Sequence, residues 1–576
     1  MAVGRKGTAG MEWMKEYERW CVRATEDEEI RCELEAMRGD PGRIEDAFYR
    51  ELEFGTGGLR GVLGAGTNRM NVYTVARATQ GLTRWIQEKK GSGRVALSYD
   101  SRINSERFAR TAAEVFAAGG LQVVMYPVLM PTPCLSYAVR ELGCDAGVMI
   151  TASHNPAKYN GYKVYGNDGG QITLKAAQEI LSWIGRVDIF EDVRKVPFNE
   201  ACAAGGIQMI PDSLLERFLQ EVRSQSVLFG DEADREAEIV YTPLNGTGRE
   251  PVTRILRECG YRHVHVVPEQ EFPDGRFPTC PSPNPEIREA MELGLELAES
   301  RHADLLLATD PDCDRIGIAV RDDQGEMVLL SGNETGMLLL DYICSQRTRH
   351  GRMPRRPLAY KTIVTTDMAE RIAADYGVEM RNVLTGFKYI GEQIGLLEQR
   401  GEADRYIFGF EESYGYLSGT YVRDKDGVNA AFLVCEMFSF YKAMGVSLYG
   451  RLMQLAARYG TCLNTQHSYG FEGAAGMRKM KGIVDSFRNG VTQIAGVRVC
   501  SLVDYARGVD GLPRSNVLRF TLEGGQTLLL RPSGTEPKLK CYLMVTAGDR
   551  NAALELEERL RRDVEARIRR TGADIK

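Results

Sequence analysis

Short apolar runs rich in β-branched residues recur along the chain, each followed by a polar turn and a stretch with apolar positions at helical spacing. GRVALSYDSR leads into NSERFARTAAEVFAAGG, EIVYTPLNGTG into EPVTRILRECG, and LAYKTIVTTD into MAERIAADYGV. Strands alternating with helices of this length predict α/β domains. Gly119-Gly120, Gly260 and Gly377 stand where those helices should be capped at their C-termini. A polar stretch, FGDEADREAE (229–238), separates the helix IPDSLLERFLQEVRSQ from the strand EIVYT. A further helix is predicted over 426–445, DGVNAAFLVCEMFSFYKAMG. From about residue 455 the pattern changes: NVLRFTLEGGQTLLLR reads as strands and NAALELEERLRRDVEARIRR as a charged final helix. No repeat is detectable residue by residue. With 576 residues the chain is too long for one hydrophobic core, and three to five domains are expected.

Composition narrows the function classes. Apolar residues make up 43% and charged residues 26%, as in ordinary globular proteins. The net charge of −6 weighs against a nucleic-acid or anionic-membrane partner. No apolar run approaches the ~18–20 residues of a membrane span, and MAVGRKGTAGMEWMKEYERW has no apolar core of a signal peptide. The 13 cysteines are scattered with no C-x-x-C pair, which predicts reduced thiols in a cytoplasmic protein. Zinc is not expected: there are six histidines, and His263 and His265 alternate with valine in a strand-like YRHVHVV.

Five stretches carry residues suited to chemistry. In RHADLLLATDPDCDRIGIAV a buried strand opens into a turn bearing Asp310, Asp312 and Asp314, with Arg315 behind them. Three carboxylates so spaced repel one another unless a cation gathers them, and an all-oxygen set selects a hard ion such as magnesium or calcium. An EF-hand is excluded, because Arg315 and Arg321 occupy its glycine and glutamate positions. A solvated acidic turn is the alternative. In LLLRPSGTEPK, Arg531, Ser533, Gly534 and Thr535 form a turn suited either to phosphate or to an unremarkable hairpin. In FGFEESYGYLSGTYVRDKDG, Glu411 and Glu412 face opposite ways in extended chain, whereas Glu411 and Ser413 share a face able to hold sugar hydroxyls. Lys425 lies near the start of the next helix, which Asp426 is placed to cap. EFGTGGLRGVLG puts Arg60 where a dinucleotide fingerprint needs its third glycine, after a helical segment, so an anion site is read rather than a nucleotide fold. TASHNPAKYNGYK sets Ser153 on a loop at a strand end, with Asn160-Gly161 marking the bend and Lys163 beyond it. It lacks the G-x-S-x-G elbow of the α/β-hydrolases, and alone it could be a plain turn.

Together TASHNP, DPDCDR, GFEESYG, RPSGTEP and FGTGGLRG resemble, in order, the motifs of the α-D-phosphohexomutase superfamily, in particular its phosphoglucomutase and phosphopentomutase members. The resemblance spans residues 54 to 538. It implies four domains around a central cleft, three similar α/β domains and a smaller C-terminal α+β domain, divided here as 1–211, 212–325, 326–454 and 455–576. It implies that Ser153 carries the transferable phosphoryl group and that Asp310, Asp312 and Asp314 hold Mg²⁺ against it. Glu411 and Ser413, with Thr385, Gly386 and Lys388 of LTGFKYIG, would bind the sugar. Arg531, Ser533, Gly534 and Thr535 would clamp the phosphate that is not reacting, and Arg60, Lys163 and Lys425 would lie near the transferring one. The FEESYGY loop departs from the GEMSGH form of the dual phosphomannomutases and favours glucose phosphate, while GTNRMNVYTVARATQGL resembles the branch that includes phosphopentomutases.

The activity implied is interconversion of glucose 1-phosphate and glucose 6-phosphate through a glucose 1,6-bisphosphate intermediate. A phosphopentomutase, a magnesium phosphatase and a non-catalytic sugar-phosphate sensor are the alternatives. Lys163 and Lys425, if crowded by cations, are candidates to take the proton of the attacking hydroxyl, and His154 is expected to orient the loop. The expected partners are small sugar phosphates, with no nucleic acid or membrane, for a monomer or homodimer.

Overall fold

The computed structural model describes residues 6–55, 57–471, 473–509, 511–532 and 538–570. Three helices, Lys6–Arg23, Glu28–Met37 and Pro41–Phe48, precede the first sheet and pack on it through Trp20 and Phe48. That sheet runs Gly58–Val62, Tyr159–Gly166, Ala146–Ile150, Arg94–Tyr99, Gln122–Met125, Ile207–Met209. Its last four strands are parallel, and the first two are added antiparallel. The second sheet runs Met327–Leu330, Ile316–Arg321, Leu305–Thr309, Ile239–Thr242, Val264–Val266. The third runs Glu379–Val383, Leu358–Thr362, Tyr406–Glu411, Gly415–Leu417.

These three sheets share a device that the sequence did not reveal. In each, one strand of the parallel part turns back into an antiparallel neighbour: Ala146–Ile150 into Tyr159–Gly166, Leu305–Thr309 into Ile316–Arg321, Tyr406–Glu411 into Gly415–Leu417. Each turn holds one non-glycine residue in the left-handed region, Ser153 (φ 52°), Cys313 (φ 50°) and Tyr414 (φ 64°). Such a backbone costs about 1–2 kcal/mol and persists only where its surroundings impose it. The fourth sheet is wholly antiparallel, with Thr461–Gly470, Lys538–Ala547, Thr527–Pro532, Leu518–Leu522, Val497–Asp504 and Gln493–Ile494 in spatial order. The helices Gly473–Arg488 and Arg550–Arg570 pack on it. The architecture is three α/β units and one α+β unit.

Met327–Leu330 hydrogen-bonds to Ile316–Arg321 and so belongs to the second sheet, and the helix Leu448–Tyr459 is unbroken across 454. The helix Gly427–Ala443, apolar all round, is buried through Tyr441 in a core shared by the first three units, which explains its lack of a polar face. Asp426 caps it as expected, accepting from the N–H groups of Val428 and Asn429. No single helix among the described residues is long and apolar enough to cross a membrane.

Candidate active site

The carboxyl ends of parallel strands are where α/β sheets place their ligands, and the candidate residues gather there. Ser153 follows Ala146–Ile150 and is buried. Its N–H donates to Thr151 Oγ1 at 2.8 Å, and its Oγ donates to Asp310 Oδ2 at 2.9 Å and lies 3.1 Å from His154 Nδ1. Asn160 and Gly161 do not mark the bend. They lie inside the strand Tyr159–Gly166, where Gly161 pairs with Arg60. Arg60 likewise stands in the strand Gly58–Val62 rather than at the end of a turn. The glycine that the geometry demands there is Gly58: a Cβ on it would come within 1.9 Å of the Tyr162 carbonyl oxygen.

Asp310, Asp312 and Asp314 are buried, and one carboxylate oxygen from each lies within 4.8 Å of the others. Asp310 Oδ1 accepts from the N–H groups of Asp314 and Arg315. Asp312 Oδ2 accepts from Lys163 Nζ at 2.8 Å and Thr132 Oγ1 at 3.0 Å. Lys425 Nζ sits 2.9 Å from Asp314 Oδ2. Asp312 Oδ1 and Asp314 Oδ1 are buried with no hydrogen-bond partner. An all-oxygen donor set with unused lone pairs fits a hard divalent cation. Cys313 turns into the packing beneath the loop, against Gly248 and Gly427. A Cβ on Gly427 would meet the Cys313 carbonyl oxygen at 2.6 Å. Gly427→Ala should therefore displace the aspartate loop and destabilise the protein by about 1–3 kcal/mol, read by denaturant unfolding.

The charges around the triad oppose one another. Burial, with Asp314 and Asp312 beside it, pushes the Asp310 carboxyl well above the carboxylate range. Burial also acts upward on Asp312, but Lys163 outweighs it and holds that carboxyl below its ordinary value. Lys163 and Lys425 were expected to be lowered by neighbouring cations. Burial lowers both, as do Lys425 acting on Lys163 and Arg315 acting on Lys425, yet the surrounding carboxylates outweigh these effects and each lysine is raised. These carboxylates favour the charged form of both lysines. Burial, Arg315 and Arg60 push His154 well below its usual value, leaving it neutral. Arg60 has an exposed residue surface, but the protein around its guanidinium and the charge of Arg315 lower its pKa. Arg315 is held charged, bonding to Glu286 at 2.5 Å and to the Ser413 carbonyl oxygen at 3.1 Å.

In the sugar loop, Glu411 and Glu412 diverge as the strand geometry requires. Glu412 accepts from Thr362 and Thr365, each at 3.0 Å. Glu411 is buried near Lys425 and Arg315, and burial raises it to about 7. Ser413 lies in the turn rather than in extended chain, and its carbonyl, not its hydroxyl, is the recorded contact. Because Glu411 binds its proton more tightly folded than unfolded, its contribution to stability is full below 4.5 and lost as pH rises through about 7. Glu411→Gln should flatten the slope of melting temperature against pH over that interval.

Thr385, Gly386 and Lys388 follow the strand Glu379–Val383, with Lys388 opening the helix Lys388–Gln399. Thr385 Oγ1 is buried without a hydrogen-bond partner, and Lys388 lines a cavity of about 320 Å³ with Gln171, Lys175, Glu392 and Pro513. Arg531 stands opposite Lys540 across two strands. Ser533, Gly534 and Thr535 lie outside the described residues.

Four contributors escaped the sequence reading. Thr132 bonds to Asp312 through both its N–H and its hydroxyl. Asp424 accepts from Tyr165 and from the N–H of Lys425, steadying that lysine. Lys540 is pressed down by burial and by Arg531, and feels Glu412 and Glu286. Arg102 binds the Ser153 loop from behind. The clue in the sequence was the pairing of Asp100 and Arg102 at a strand end.

A serine hydroxyl on a buried trio of aspartates, ringed by arginine and lysine, defines a phosphoryl-transfer enzyme of the α/β class. Residues 51–188, 216–325 and 331–459 match alpha/beta/alpha domains I, II and III of phosphoglucomutase/phosphomannomutase, and 481–562 match its C-terminal domain. A phosphoglucomutase of Staphylococcus aureus (strain USA300) is 36% identical over 510 residues, 86% of this chain and 90% of that protein. Parafusin, a Paramecium phosphoglucomutase, has a similar fold in its open form at 16% identity, with a TM-score of 0.70 over 91% of this chain and 97% of that one. An Aspergillus fumigatus N-acetylphosphoglucosamine mutase, solved with GlcNAc-6P and magnesium, is 14% identical with a TM-score of 0.52 over 93% and 98%. The chain belongs to the phosphoglucomutase/phosphomannomutase family and is an enzyme of the phosphotransferase-mutase class.

Proposed function

We propose that the protein is a phosphoglucomutase that interconverts glucose 1-phosphate and glucose 6-phosphate by way of phospho-Ser153 and glucose 1,6-bisphosphate. The observation that carries this is the 2.9 Å bond from Ser153 Oγ to Asp310, which sets the hydroxyl directly on the aspartate cluster. The relatives named phosphoglucomutase support glucose as the sugar. Asp310, Asp312 and Asp314 would hold Mg²⁺, which supplies Lewis-acid charge to phosphoryl oxygens when bound.

The chain's own residues do the rest. Phosphoryl transfer needs alignment and charge neutralisation more than covalent help. A phosphoserine brings a charge of about −1.5 to −2 at pH 7, and Arg60, Lys163, Arg315 and Lys425 face it as permanent cations. His154, neutral and 3.1 Å from Ser153 Oγ, has a lone pair for a proton. Glu411 and Ser413, with Thr385, Gly386 and Lys388, would hold the sugar hydroxyls. Arg531, Ser533, Gly534 and Thr535 would hold the distal phosphate in both orientations of the bisphosphate. We place the domain boundaries after 211, 330 and 460, and read the protein as a cytoplasmic monomer or homodimer acting on sugar phosphates. All 13 cysteines being free supports the cytoplasmic placement.

The test is turnover of glucose 1-phosphate with Mg²⁺ and a trace of glucose 1,6-bisphosphate, run beside ribose 1-phosphate. Glucose 6-phosphate should form without release of inorganic phosphate. Turnover confined to the pentose would replace this reading, and phosphate release outpacing isomerisation would make the enzyme a phosphatase.

A further inference from the structure

We propose that Arg102 is the positioning residue of the phosphoryl-transfer site, holding the Ser153 loop in the one shape that aligns it with the aspartates. The proposal rests on the reading of Ser153 as the phosphate carrier. Arg102 lies 51 residues before Ser153 in the chain, in the turn after the strand Arg94–Tyr99. Its guanidinium donates to four main-chain carbonyls of one loop: Nη2 to Ser153 and Asn155, and Nη1 to Pro156 at 3.0 Å and Tyr159 at 3.1 Å. A planar fork of five donors can gather carbonyls in this way, and a lysine ammonium cannot span the same set.

The fork is itself fixed. Arg102 and Asp100 have no exposed side-chain surface, and Arg102 Nε lies 3.4 Å from Asp100 Oδ2. Asp100 Oδ1 accepts from the Arg102 N–H and from Ser105. The guanidinium also lies over the ring of Phe277, 5.0 Å from its centroid, and the Arg102 backbone bridges to Gly275. Phe277 and Gly275 belong to the second unit, which carries the aspartates. One side chain thus ties the serine loop to its own sheet and to the unit that faces it.

The loop needs such a tie. Ser153 has φ 52°, and the described contacts that impose it are Thr151 on its N–H and Arg102 on its carbonyl. Loosening the carbonyl side lets Ser153 relax away from Asp310. A misplacement of about 1 Å is enough to cost about 100-fold in rate. Substrate contacts lie on other loops, so sugar binding should survive.

The experiment compares Arg102→Lys with the parent enzyme, with Ser153→Ala as control. In the folded Arg102→Lys protein, kcat should fall about 100-fold with KM for glucose 1-phosphate unchanged, and amide exchange should quicken in residues 151–160. Parental kcat, or a loss confined to KM, would overturn the proposal. Should Arg102→Lys not fold, Asp100→Asn replaces it: the amide keeps the acceptor for Ser105 but loosens the grip on Nε. A lower kcat at constant KM supports the proposal, and a parental kcat overturns it. If Ser153→Ala retains turnover, the phosphoserine reading itself is at fault; if it is inactive while Arg102→Lys is parental, the positioning role alone fails.

Discussion

Ser153→Ala is expected to remove the phosphoenzyme and to lower mutase turnover by a factor on the order of 10⁴ to 10⁶, the range found when a covalent nucleophile is deleted. Stability should change little. Among the described residues the hydroxyl bonds only to its neighbour His154 and to Asp310, a carboxyl that burial and its two neighbouring aspartates already press toward the neutral form. The main-chain bonds that hold the loop, from Ser153 N–H to Thr151 and from Arg102 to the Ser153 carbonyl, do not involve the side chain. The check is a coupled assay for glucose 6-phosphate beside a thermal melt. A folded variant with parental activity would mean that phosphate moves by another route.

Asp314→Asn is expected to be the second most damaging change. It removes one of three buried charges that a cation would neutralise and leaves Lys425, 2.9 Å away, facing an amide. Parent protein saturated with Mg²⁺ at about 100 times its Kd should gain about 2.7 kcal/mol. The variant should lose most of that gain, and its turnover should fall by about 10²–10³ as charge stabilisation is lost. Thermal melts with and without Mg²⁺ read the first effect independently of activity. Equal stabilisation of parent and variant would remove Asp314 from the cation site.

The fold was legible where the chain's period was clear. The alternating strands and helices and the apolar helix over 426–445 could be read because burial writes itself into spacing. The site was legible where chemistry is concentrated in a few adjacent residues: the three aspartates after a buried strand, which a solvated turn would leave exposed, form one buried cluster. What sequence could not show are partnerships across long separations. Thr132 reaches Asp312 across 180 residues and Tyr165 reaches Asp424 across 259, and no local pattern announces either. The lysines were misread for a related reason. Their cationic neighbours were expected, but the sign of the shift depends on distances to Asp312 and Asp314 that only folding sets. Asn160-Gly161 looked like a turn, and became strand because Gly161 lets the strand Gly58–Val62 and the start of the serine loop approach closely: a Cβ there would come within 2.4 Å of the Thr151 carbonyl oxygen and 2.9 Å of that of Leu59.

The central claim is that Ser153 is a reversible carrier of phosphate. Peptide mapping by mass spectrometry, after incubation of the protein with Mg²⁺ and glucose 1,6-bisphosphate, tests it most directly. The account predicts one phosphoryl group on the peptide that contains Ser153, discharged when glucose 6-phosphate is added. A Ser153 that stays unmodified while the enzyme turns over, or a phosphate held on another residue, would contradict it.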